Sequence, residues 1–200
     1  MIVALISSMV VGSAVMLASQ VQRAYSYELN DAAVQQESRF ALDWIARTLS
    51  PAGSNPYGIT LSACPAAGTP FAALTLDPDG DSIHDDIRIQ ADVNPPNGVV
   101  LGLTGACTES GEDVTIAHDP TNLVLTRHDR ATDATPVAVT DGVFTQLLFT
   151  YLTVNRAVTT TPSAIAYVQV NLTGRSRSRN PYTGQFTTFN YRSEIRIRAR

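Results

Sequence analysis

The sequence predicts an α+β protein in which one long N-terminal helix packs on an antiparallel β-sheet head. Three observations predict it. Met1 to Gln22 contains no charged side chain. Neither Pro nor Gly interrupts Gln20 to Leu49. Beyond Pro51, short apolar runs alternate with Gly, Pro, Asn and Asp, which is the texture of strands and turns.

The helix comes first. MIVALISSMVVGSAVMLAS has the ~20 apolar residues that a bilayer span requires, so a membrane segment is the leading expectation. A cleaved signal would need a basic start and a small-residue cleavage site, and neither is evident. The remaining alternative is a buried core helix. Good helix formers carry the helix on until Ser50-Pro51 and Gly53 stop it. Two apolar rows run along this second half. One is Tyr25, Leu29, Ala33, Phe40 and Trp44; the other is Val34, Ala41, Ile45 and Leu49. Their spacing marks an amphipathic helix that spans the membrane first and then covers the head. Phe40, Trp44, Ile45 and Leu49 are the expected contacts with the sheet. Residues 1–50 thus form the helix and 51–200 the head.

In the head, strands are expected at Gly58–Ser62, Ala72–Leu76, Asp86–Gln90, Val99–Leu103, Val114–Ala117, Leu123–Arg127 and Pro136–Val139. Three longer ones follow at Phe144–Val154, Ile165–Thr173 and Phe186–Arg198. The last alternates strictly, with Phe189, Tyr191, Ile195 and Ile197 on one side and polar residues on the other. That period of two predicts one packed face and one wet face.

Charge is unevenly spread. The 14 basic residues are all Arg, seven of them after Gly174, whereas Asp77 to Asp141 carries 13 acids against three Arg. The net charge of −4 argues against nucleic acid as a partner, since phosphate binding needs a net basic face. The RSRSR run from Arg175 suggests either an anionic surface or a solvated hairpin tip.

The charge-free helix start, its continuation through QQESRFALDWIARTLSPAG and the ending VQVNLTGRSRSRNPYTGQFTTFNYRSEIRIR resemble the type IV pilin-like proteins. The resemblance is to PilW-type minor pilins and J-type pseudopilins of type II secretion. It covers residues 1–50 and 140–200. It implies a subunit of a type IV pilus or type II secretion pseudopilus, in its initiating tip complex. Its partners would be other pilins or pseudopilins, met through the helix, and the bacterial inner membrane before assembly. The head would be periplasmic or on an extracellular filament. The family's basic leader and the Glu near the mature start are absent. MIVALISSMVVG is similar to the stretch after that Glu, so the expectation is either that about six mature residues and a leader precede this Met1 or that the chain is an unusual member of the class. Processing and methylation of that N-terminus are implied by the resemblance alone.

On the outer side of a membrane, Cys64 and Cys107 read as a disulfide. Metal ligation by them is the weaker alternative, because no CxxC spacing accompanies either. In DPDGDSIHDD, Asp77, Asp79 and Asp81 alternate like the opening of a calcium loop, and Asp85 or Asp86 closes the shell. The motif is not an EF-hand, because Arg88 stands where a bidentate Glu belongs. A plain solvated turn explains the same residues. His84, His118 and His128 fall in turn-like sequence, and GxSxG, HExxH and P-loop motifs are absent, so an enzyme is not expected. The second function class is a membrane-tethered, adhesin-like binding module.

Overall fold

A computed structural model of the protein describes residues 2–62, 69–93, 98, 100 and 109–197, with the backbone alone for residues 2–8, 61, 62 and 69. Helix α1 runs unbroken over Ile2–Leu49, about 72 Å at 1.5 Å per residue. Its end follows from sequence chemistry: Pro51 cannot continue the ladder, and Gly53 takes a left-handed φ of 76°. The Gly53 amide then donates to the Gln90 carbonyl at 2.9 Å, tying the helix end to a strand.

Of the two apolar rows, the second is the buried one. Val34, Ala41, Ile45 and Leu49 are fully buried, and Ser38 sits among them with its hydroxyl donating to the Val34 carbonyl. Trp44 is half-buried at the edge of the same core. Phe40, expected on the sheet, is instead 54% exposed. The reason is phase. At about 100° per residue, Phe40 lies nearly opposite Leu49 on the helix, so the two cannot face the same sheet. Tyr25 and Leu29 are exposed for the same reason.

The head is antiparallel throughout its described part. A short hairpin pairs β1 (Leu61–Ser62) with β2 (Thr69–Pro70). Strands β3 (Leu74–Leu76), β4 (Asp86–Gln90), β5 (Asp113–Asp119), β6 (Val124–Asp129) and β7 (Val137–Ala138) form a five-stranded meander in chain order. Strands β8 (Phe144–Leu152), β9 (Tyr167–Arg175) and β10 (Thr188–Arg196) form a three-stranded sheet with β9 at its centre. Apart from Val100, the expected Val99–Leu103 strand falls outside the described residues.

Helix α1 lies across β9 and β10. Central β9 therefore buries Val168, Val170 and Leu172, and β10 keeps the alternation that its sequence carries. In β8 a bulge between Phe144 and Gln146 breaks the period of two, so Phe144 and Leu147, three residues apart, are both buried. The two sheets meet where the Phe149 amide donates to the His84 carbonyl at 2.7 Å and the Phe144 amide to the Leu123 carbonyl at 2.8 Å. Ile45 and Leu49, both sheets and Ile165 build one continuous core. Each such aliphatic side chain contributes roughly 1.5–3 kcal/mol by leaving water.

Candidate cation site in the acidic loop

The turn between β3 and β4 holds itself in shape. Asp77 and Ser82 adopt left-handed φ values of 50° and 68°, flanking Gly80 at 78°. The Asp77 carboxylate offsets that strain by accepting three backbone amides: Gly80 at 3.0 Å and Asp81 at 3.1 Å on Oδ1, and Ser82 at 2.9 Å on Oδ2. Asp81 makes a turn contact of its own, its Oδ1 accepting the Ile83 amide at 2.7 Å.

Asp86 differs from the other carboxylates of the motif because it opens strand β4 instead of lying in the turn. It is 3% exposed. Its Oδ2 accepts the Asp79 amide at 3.2 Å, whereas its buried Oδ1 has no hydrogen-bond partner. Oxygens of Asp77, Asp79 and Asp86 lie within 4.8 Å of one another. Two oxygens on one calcium ion, each 2.3–2.6 Å away, are at most about 5 Å apart, so the spacing fits. Among the described residues this is the grouping of His, Cys, Asp or Glu compact enough to hold a metal ion.

Of the five acids expected there, Asp77, Asp79 and Asp86 are brought together. Asp81 points into its own turn. Asp85 lies outside the grouping, its Oδ2 3.9 Å from His118 Nδ1.

The electrostatics agree with a site that wants a positive charge. Burial, reinforced by the charges of Asp79, Asp77 and Asp85, pushes the Asp86 carboxyl up to about 7. Burial and the Asp81 charge also raise Asp85. Desolvation acts upward on Asp77 too, but the amides of Ser82, Gly80 and Asp81 and the Asp79 side chain outweigh it and hold it low. Behind the triad, the buried Tyr151 hydroxyl and His84 Nδ1 also lack hydrogen-bond partners, and their rings meet edge to face at 5.6 Å. Burial and then the negative field of Asp86 and Asp77 raise the Tyr151 phenol.

Arg88 leaves this loop for another partner. Its guanidinium grips the fully buried Asp113 of β5 with two bonds, at 2.7 and 2.6 Å, and Gln90 Nε2 adds a third at 2.9 Å. Arg130 stands 3.5 Å from the same carboxylate. The sequence hid this network, because Arg88 and Asp113 become neighbours only through the β4–β5 register. Similarly His118 and His128, read as turn residues, lie on β5 and β6. His118 Nε2 sits 3.0 Å from the Phe144 carbonyl.

Cys64 and Cys107 lie outside the described residues. From Met9 to Val21, α1 leaves Met9, Val10, Val11, Val15, Met16, Leu17 and Val21 61–73% exposed. Among the described residues no helix is long and apolar enough to cross a membrane. The apolar run begins at Met1, and the side chains of residues 2–8 lie outside the described part. The chain matches no protein-family model, no curated protein and no solved structure.

Proposed function

We propose that this protein is a structural subunit of the type IV pilin-like class, a minor pilin or pseudopilin. The first half of α1 would hold it in a bacterial inner membrane and later pack with the equivalent helices of neighbouring pilins. The observation that carries this reading is the division of α1: exposed apolar side chains from Met9 to Val21, then a buried row from Val34 to Leu49. Apolar surface of that extent on a monomer calls for a bilayer or a partner. The test is Val10→Asp with Val11→Asp. We expect loss of membrane retention and of incorporation into the filament, with the head's melting temperature unchanged. Full retention of both would refute the reading.

Within the head, calcium is the cation that the Asp77, Asp79 and Asp86 triad suits. Three carboxylates set by a turn meet calcium's loose coordination by about 6–8 oxygens more readily than magnesium's strict octahedron. Bound there, the ion would cancel the repulsion among the three acids and pin the β3–β4 turn to the sheet. The unpartnered Asp86 Oδ1 supports this assignment over a plain turn. Calcium titration of the chain lacking residues 1–24, which keeps the buried row, followed by calorimetry, tests it.

A further inference from the structure

We propose that the cleft between α1 and the β9–β10 loop binds anionic phospholipid headgroups of the bilayer that would hold the helix. The inference rests on the anchoring reading above and adds a lipid partner to it. The cleft, about 540 Å³, is lined by Ser19, Gln22, Arg23, Ser26, Tyr27 and Asn30 of the helix and by Ser178, Arg179 and Pro181 of the loop. Two guanidinium groups and no carboxylate line it, the chemistry of a phosphate site, while the Ser19 and Ser26 hydroxyls donate to the Met16 and Gln22 carbonyls of their own helix at 2.8 and 2.9 Å.

The arginines of the loop are sorted by their contacts. Arg177 is committed to the helix, donating to Glu37 Oε2 at 3.0 Å and Asp141 Oδ2 at 2.5 Å. Arg175 and Arg179 stack on Phe186, at 4.7 and 4.8 Å from its ring centroid. Arg179 also donates to the Gly184 carbonyl at 2.9 Å, which fixes it at the cleft. Tyr27 and Thr187 hold the loop to the helix through hydroxyls 2.5 Å apart.

The level of the cleft along α1 names the ligand. Arg23 is the first charge after the apolar run. The end of the cleft that carries this charge, Ser19 to Arg23, rises about 6 Å, close to the ~5–8 Å headgroup layer on one side of a bilayer, and Ser26 to Asn30 carry the cleft about 10 Å farther from the apolar run. Tyr182, 76% exposed, stands beside it over Leu17, Val21 and Tyr25, where interfacial aromatics belong. Glu28 lines that adjoining cleft, and Asp31, one turn beyond Tyr27 and farther from the apolar end, bonds the Tyr27 hydroxyl.

The test uses the full chain reconstituted into phosphatidylcholine vesicles, with and without phosphatidylglycerol. Amide exchange of residues 178–184 is followed by mass spectrometry. Phosphatidylglycerol should slow that exchange by at least about fivefold, the effect of one basic residue at an anionic surface, and high salt should reverse it. Arg23→Gln with Arg179→Gln should abolish the slowing while β9 amides, which report folding, stay protected. Tyr182→Ser, at an exposed position, should weaken it in the same direction. Equal exchange in both vesicle types would overturn the headgroup site while leaving the anchor intact. Equal slowing by soluble glycerol phosphate over neutral vesicles would mean a free-phosphate site and would also overturn it. Failure of the chain to float with either vesicle would remove the anchoring reading, and this inference with it.

Discussion

Asp86 is where residue chemistry meets the behaviour of the head. Its carboxyl titrates near 3.8 when free and near 7 in the fold. Across that window the folded state keeps a proton that the unfolded chain releases, so this group makes stability fall as pH rises from about 4 to 7. A cation that takes the proton's place reverses the penalty. Urea unfolding followed against pH should therefore show calcium stabilising most above pH 7, by ~2.7 kcal/mol at a hundredfold excess over its dissociation constant. Asp86→Asn keeps an oxygen for the Asp79 amide and removes the charge. It should flatten the pH slope and abolish the calcium response. A calcium response that survives this substitution would exclude the triad. Tyr151→Phe probes the same corner from the apolar side. Deleting a buried hydroxyl without a partner should stabilise the ion-free head, by up to about 1 kcal/mol on melting.

At the scale of elements, the contact between α1 and the sheet makes the sharpest prediction. Ile45→Ala should cost about 2–5 kcal/mol, the range for emptying a packed site. Phe40→Ala, on the far side of the helix, should stay within about 0.5 kcal/mol. Chemical denaturation of the two variants checks both. The sequence allowed the helix, its stop at Pro51 and the three long strands to be read, because periods of 3.6 and 2 are strong over nine residues or more. It could not choose between two apolar rows on one helix, since only the sheet's position decides which is covered. The acidic motif was legible as a cluster. That Asp86 would be its buried member depended on the strand beginning there, and the Arg88–Asp113 pair depended on a register between strands 25 residues apart. A second prediction concerns the clamp of Arg177 on Glu37 and Asp141. The guanidinium is 42% exposed, so a double-mutant cycle with Glu37 should return only about 0.5–1 kcal/mol of coupling.

For the whole molecule, the core sets what can be removed. Deleting residues 1–24 takes away none of the buried row, and we expect a monomer that unfolds cooperatively and, on the anchoring proposal, does not associate with membranes. Deleting residues 1–49 strips Val34, Ala41, Ile45 and Leu49 from β9 and β10, and the uncovered sheet should aggregate on light scattering. A well-behaved 50–200 fragment would show that the head needs no helix. The same division of α1 has a mechanical meaning. The buried row grips about 23 Å of a rod about 72 Å long, and the β9–β10 loop meets the rod again as far as Leu17, leaving about 23 Å beyond both. A sideways load at the free end falls first on the loop contacts between Leu17 and Tyr27 and reaches the buried row only after they part. A pull along the axis is shared by every side chain of the row and by the Arg177 clamp at once. Load along the axis is thus borne by more contacts at once than load across it.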